Sequence, residues 1–437
     1  MTRRFPSTFQ LFLVPFLAAG LCAQVTNLQS EDPKARKKAA QRIGESREGN
    51  PADLCRALGD AVADPVAEVR SAVVVSLIKL SGEGCIPGLI AASRDGNASI
   101  QSMAVDGMVN QYIPEYVKFG VFNSLKGVAS NLKGRFAEPE PLVVDSYVEI
   151  APAISDAVAS VITGGSSNES RANAARAAGI LRANRALPDL KKALQSRNTM
   201  IIVESVRAIE KIQEPSAGPD IVFLLRDPDP KVQVATAETA GQLRVKEAAE
   251  GLVDLAKNSE RKEVRRAALI GLAKIPDNGE DKLFLLHLRD KDKQIRAAAA
   301  EGIGRAGNQT DVDTIQDAFA GEKAESPRLS MAFALVLLGD HSKIAYLIDG
   351  LESTFHRLEA RPFLVELARD PAVLSELYTP LTSGTRNQRI HLAHVIARSG
   401  NRDSRSHLER LTKDLDPRVA GAAQRELKNL DTRLGPA

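Results

Sequence analysis

Tryptophan is absent from the 437 residues, and 5 tyrosines and 13 phenylalanines bring the aromatic share to only 4%. A core of stacked rings is therefore excluded, and the apolar interior falls to aliphatics and alanine, which favours helices. Cysteine is nearly as scarce, with 3 residues, and neither Cys55 nor Cys85 has a second cysteine at metal-ligand spacing. That rules out a zinc site built on thiolates. An excess of one charge is lacking too: 58 Lys and Arg face 55 Asp and Glu, a formal charge of +3 that drops to about +1 without Arg3 and Arg4. Such a balance gives no bulk electrostatic support for a nucleic-acid partner. No phosphate-cradling Walker sequence, Gly-x-Ser-x-Gly elbow, Cys-x-x-Cys or His-Glu-x-x-His occurs, so the common one-line signatures of catalysis are missing.

What is present begins with an address. Arg3 and Arg4 precede the apolar run of residues 11–19, and Gly20-Leu-Cys-Ala23 follows. This is the three-part form of a secretory signal, with cleavage expected after Ala23. Pro15 interrupts the run, which is shorter than the roughly 20 residues a spanning helix needs, and no later segment could span. Leu21 stands directly before Cys22 where lipidation would need a small residue. The mature chain is expected to be exported, periplasmic or secreted, with Cys55 and Cys85 in an oxidising compartment as either a disulfide or two buried thiols.

The chain repeats itself. A small or branched residue, often followed by Arg and then an alanine-rich stretch, recurs at Ala35, Val69, Ile100, Ser170, Ile201, Val232, Val264, Ile295, Pro327, Leu358, Gln388 and Val419. The spacing is about 31 residues, with one gap of 70 between Ile100 and Ser170. The fifth position on is apolar except at Gln424 and the eighth except at Glu366, which marks one face of a helix. A second apolar helix precedes each unit, as at 187–190 and 218–221, so the unit reads as a helical hairpin. Asp32-Pro, Asp229-Pro and Asp416-Pro supply an N-cap and a first-turn proline in front of it. One hairpin cannot bury its own faces, so the predicted fold is all-α: an α-solenoid of stacked hairpins.

These residues, the Asp-Pro turn, the following Val-Arg and the alanine-rich helix, resemble HEAT repeats, in particular the short bacterial form related to phycobilisome-lyase repeats. The resemblance runs from about residue 30 to 430 and implies a right-handed superhelix of about 12–13 repeats. It also implies a ladder of turn aspartates and helix arginines, the latter matched here by Arg36, Arg70, Arg171, Arg265, Arg296, Arg328 and Arg389. Gln101, Ile202, Gln233, Glu359 and Ala420 depart from that position. HEAT-repeat iron hydroxylases carry repeated His-Glu pairs, and this chain has none.

The break in the period divides the chain into a signal peptide at 1–23, repeats at 24–111, a degenerate repeat with an insertion at 112–165, and repeats at 166–437. Tyr112, Tyr116, Phe119, Phe122, Phe136 and Tyr147 crowd into the insertion together with Lys118, Lys126, Lys133 and Arg135. Insertions in solenoids commonly lie on one face, and aromatics suit recognition, so these six are the candidate partner-binding residues; the alternative is that they fill an imperfect packing gap. The sixth position of the repeat carries a varied polar set, Gln41, Asp106, Arg176, Arg207, Glu238, Glu301, His394 and Arg425, for which the resemblance implies the concave side. Gly302-x-Gly-x-x-Gly307 closes a helix instead of following a strand, which argues against a dinucleotide site. His391 and His394 share a helix face with no nameable third ligand.

The expectation is an exported, non-catalytic scaffold for protein partners of unknown identity, with no cofactor, no metal and no nucleic acid. A cofactor-binding or lyase-like subunit and a structural envelope component are the alternatives.

Overall fold

A computed structural model describes residues 25–46, 49–117, 142–145, 147–276 and 279–435, and every regular element among them is helical. The expected signal segment and Phe119, Phe122 and Phe136 lie outside the described residues. Two compact units result, one of Met1–Val144 with Ile150–Gln213, the other of Asp145–Glu149 with Glu214–Ala437.

The first unit runs through α1 (Pro33–Glu45), α2 (Pro51–Asp60), α3 (Ala67–Leu80), α4 (Ile86–Ala92), α5 (Ala98–Asn110), α6 (Pro152–Gly164), α7 (Asn168–Ile180), α8 (Leu187–Ala193) and α9 (Thr199–Ile212). Its odd-numbered helices are the alanine-rich repeat helices and pack successively on one another, while the even-numbered ones precede them in each hairpin. The second unit opens on a 3₁₀ segment, Pro219–Arg226, and continues with α10 (Pro230–Gln242), α11 (Ala249–Asn258), α12 (Lys262–Lys274), α13 (Asp281–His287), α14 (Lys293–Ala306), α15 (Val312–Gly321) and α16 (Glu325–Leu337). It ends with α17 (Ile344–Asp349), α18 (Arg357–Leu367), α19 (Pro371–Ser383), α20 (Arg386–Ser399), α21 (Ser404–Leu411) and α22 (Pro417–Leu434). Here the even-numbered helices form the stacked row. Each unit is thus a stack of helical hairpins, an α-solenoid.

The helix starts follow from the caps read in the sequence. Asp32, Asp229 and Asp416 accept from the amides of Lys34, Lys231 and Arg418, with proline in the first turn. Asp64 works differently: it accepts from the Val66 amide at 2.8 Å, and α3 begins at Ala67.

Small residues set the helix spacing. A Cβ at Gly179 would stand 2.8 Å from the Ala208 Cα, one at Gly241 2.6 Å from the Gly271 Cα, and one at Gly304 2.6 Å from the Ala334 Cα. These glycines share the ninth position of their repeats, and the row helices there meet almost backbone to backbone. The Gly302-x-Gly-x-x-Gly307 sequence is explained by packing at its first two glycines and by a helix end at its third. Gly302 lies under the Phe284 ring, Gly304 against Ala334, and Gly307 ends α14 in the left-handed region at φ 72°.

The gap in the period leaves the stack unbroken. Within 112–165, residues 152–164 form α6, an ordinary first helix of a hairpin, and α7 packs directly on α5 as the next member of the row. The joint is polar: Ser102 Oγ lies 3.2 Å from Ser170 Oγ, and Asn173 Nδ2 donates to Asp106 Oδ1 at 3.1 Å. Ile100 through Val109 are all buried, as befits a helix covered on every side.

Candidate binding surfaces

The arginine position of the repeat builds a ladder in the turns. Arg36 donates through Nε and Nη2 to Asp64 at 2.6 and 3.0 Å, while its Nη1 reaches the Ser30 and Glu31 carbonyls. Arg70 does the same with Asp95 and the Asp64 carbonyl, and Arg296 with Glu322 and the Asp290 carbonyl. Arg389 pairs with Asp414. The acceptor is the acid two residues before the cap, where it also takes an amide hydrogen: Val66 N to Asp64, Asn97 N to Asp95, Ala324 N to Glu322, Asp416 N to Asp414. One carboxylate therefore closes its own turn and clasps the arginine of the preceding repeat. The Arg36 hydrogen bond holds Asp64 below the usual carboxylate range, and Arg296 does so for Glu322.

Where the arginine is missing, the replacement follows the turn it meets. Gln101 donates to the Ser93 carbonyl at 2.8 Å and accepts from the Ser166 amide at 2.8 Å, because the next turn, Gly165-Ser166-Ser167, offers amides and hydroxyls but no acid. Gln233 donates to the Leu225 carbonyl at 3.2 Å. Arg171 and Arg265 keep only a carbonyl, of Ile162 and Ser259 respectively, and Arg328 lies over the Phe319 and Tyr346 rings at 5.0 and 5.1 Å.

Of the aromatic candidates, Tyr112 holds the base of the insertion: its hydroxyl accepts from the Ala151 amide at 2.9 Å. Val144 N donates to the Ile180 carbonyl at 2.9 Å, which ties the returning chain to α7. Tyr116 is half-buried beside Val117, whose amide donates to Asn110 Oδ1 at 3.1 Å. The Tyr147 hydroxyl donates to Asp145 Oδ2 at 3.2 Å. Cys55 and Cys85 are disulfide-bonded, with Cα atoms 4.7 Å apart, and link α2 to the turn that leads into α4.

A second polar cluster lies at the C-terminal ends of the row helices of the second unit. Glu366, the exception at the eighth repeat position, accepts from Arg305 Nε and Nη2 at 3.0 and 3.1 Å and lies 2.6 Å from Arg244 Nη2. Arg305 also bonds Glu301 at 3.0 Å and the Ala273 carbonyl at 2.7 Å, and its guanidinium lies over the Phe333 ring. Burial opposes the charge on Glu366, but Arg305, Arg244 and Arg369 outweigh it and hold the carboxyl below its ordinary range. The sequence signal for this cluster was the charged residue at an apolar register position. His394 bonds Glu426 at 3.1 Å, and among the described residues no group of three His, Cys, Asp or Glu is placed to hold a metal ion. No helix among them is long and apolar enough to cross a membrane.

Stacked hairpins with capped turns and an arginine ladder define a helical-repeat protein. Residues 219–286 match the family model described as HEAT repeats. Similar solved structures include Kap121p bound to Ste12p, with 12% identity over 95% of this chain and 57% of that one at a TM-score of 0.42. The CpcE–CpcF phycocyanin lyase complex of Nostoc is 18% identical, covering 66% of this chain and 96% of that one at a TM-score of 0.31. Human deoxyhypusine hydroxylase is 16% identical, covering 64% and 96% at a TM-score of 0.27. The chain spans a little over half the length of Kap121p. No curated protein matches.

Proposed function

We propose that this chain is an exported, non-catalytic scaffold that binds protein partners through its stacked hairpins. The observation that carries the reading is the direct packing of α7 on α5 across the insertion. The chain between these two helices exceeds one repeat period by about forty residues, and insertions in solenoids commonly carry recognition. The signal-like residues 1–23 and the Cys55–Cys85 disulfide support export, since disulfides persist in oxidising compartments.

The test is cross-linking of the full-length protein in its native cell envelope, followed by mass spectrometry, beside a variant in which residues 113–150 are replaced by a short Gly/Ser linker. The expected result is a defined set of cross-linked proteins that shrinks in the variant while its helical signal stays intact. Cytoplasmic fractionation, or a protein cross-linked to nothing, overturns the reading.

A further inference from the structure

The row helices α18, α20 and α22 each finish on an arginine: Arg369 just past α18, Arg398 in the last turn of α20 and Arg433 in the last turn of α22. Their ends are directly joined, because Ser399 Oγ bonds the Val365 carbonyl and Arg433 donates to the carbonyls of Ala397, at 3.0 Å, and Gly400. Among the described residues none of the three guanidiniums has a carboxylate within ion-pair distance. The nearby acids have closer partners: Glu426 bonds His394 and Asn429 and is also drawn down by the charge of Arg398, Asp370 accepts from the Ala372 amide, and Asp431 pairs with Arg405. Burial and the charges of Arg398 and Arg369 push the Arg433 guanidinium down from its ordinary value, so the three groups feel one another. The surrounding chain is basic, with fourteen Lys and Arg against ten Asp and Glu over residues 357–437, whereas 214–356 carries nineteen against twenty-four.

The same edge already displays what it accepts. Glu366, one helical turn before Arg369, is gripped by the forks of Arg305 and the Nη2 of Arg244, the planar pairing in which guanidinium favours a carboxylate. Successive row helices step by about 8–10 Å. An extended chain of polyproline type advances about 3.1 Å per residue with three residues per turn, so every third side chain recurs at roughly 9 Å on one side. Acidic residues spaced by three therefore recur at about the step of the row helices.

We propose that the edge formed by Arg369, Arg398 and Arg433 binds an acidic, extended peptide segment of a protein partner, with one carboxylate per row helix. This rests on the scaffold reading and assigns it a partner chemistry. Arg433 braces the stack through two carbonyls, whereas Arg369 and Arg398 act on Glu366 and Glu426 at a distance and make no direct ion pair among the described residues.

The test uses fluorescence anisotropy with the full-length protein and a labelled peptide of five Glu-Pro-Ser repeats. The controls are the same peptide with Lys for Glu, one with its five Glu contiguous, and an oligothymidylate of equal length. The spaced Glu peptide is expected to bind best, with affinity falling as salt rises. The double variant Arg369→Gln, Arg398→Gln should bind it about tenfold more weakly, as loss of two exposed ion pairs implies, with an unchanged thermal midpoint. Equal affinity of the double variant, equal binding of the contiguous peptide, or tighter binding of the oligothymidylate overturns the proposal. A double variant that loses the peptide but keeps every cross-linked partner also overturns it and leaves the scaffold reading standing.

Discussion

Glu366 and Arg244 meet at 2.6 Å although four repeats of chain lie between them, and Arg305 holds the other side of the same carboxylate. An apolar residue at this position would restore the repeat pattern but leave Arg244 without its carboxylate and the almost fully enclosed Arg305 with Glu301 alone. Glu366→Leu is therefore expected to destabilise the second unit by about 3 kcal/mol, the usual consequence of removing one partner from a buried ion pair. Urea unfolding followed by circular dichroism measures this, and a variant as stable as the parent would show that the cluster contributes nothing.

The ladder arginines should not be equal. Arg296 makes two bonds to Glu322 and two to carbonyls, while Arg265 donates to the Ser259 carbonyl. Arg296→Ala is expected to cost about 2–3 kcal/mol and Arg265→Ala about 1 kcal/mol, in line with charged against single hydrogen bonds. Thermal melts of the two variants under one condition give the order, and the reverse order would refute the ladder as drawn.

Acid should loosen the turns in a defined direction. Asp64 and Glu322 have depressed folded values, so the unfolded chain binds their protons more readily. Their contribution is complete above the ordinary carboxylate range near pH ~4 and is lost as the pH falls through the folded values. Glu359 runs the other way: burial and the neighbouring Glu301 raise it, and its ionised form weakens the fold at neutral pH. Glu359→Gln keeps an acceptor for Ser326 Oγ, 2.9 Å away, and should raise the melting temperature at pH 7, with the gain shrinking toward pH 4. Melting curves across that interval decide both signs.

Gly307 offers a test of backbone conformation without crowding. Its φ is 72° and nothing stands within 4 Å of an added Cβ, whereas a Cβ on Gly304 meets the Ala334 Cα at 2.6 Å. Gly307→Ala should cost about 1 kcal/mol through conformation. Gly304→Ala should cost more, because overpacking forces helices apart at about 1–3 kcal/mol. Comparable chemical unfolding midpoints for the two would contradict the assignment.

Much of this architecture was legible in the residues. The 31-residue period, the Asp-Pro caps and the alanine faces all rest on local rules, and caps and periodicity act within a turn or two. A helix ending near Gly164 was legible inside 112–165 too, although the insertion ahead of it displaces it from the 31-residue spacing. The ladder acids were harder still, as each lies two residues before the cap and its partner is about 25 residues away. Glu366 stood out only as an irregularity: a contact spanning four repeats leaves no periodic trace. The pairing of Cys55 with Cys85 stayed open because it turns on a close approach of the two segments, seen also where a Cβ on Gly84 would come within 3.1 Å of the Ala52 Cα, which composition does not disclose.

That disulfide also determines how the chain would yield to tension. In a stack where each hairpin leans only on its neighbours, a pull on the N-terminus peels repeats off in order. The crosslink closes a loop of 30 residues between α2 and the turn before α4. About 100 Å of contour length, at roughly 3.4 Å per residue, is thereby withheld from the pulled chain. A force–extension trace should gain that length when reductant is added, so the N-terminal end stretches further when its thiols are free than when they are paired.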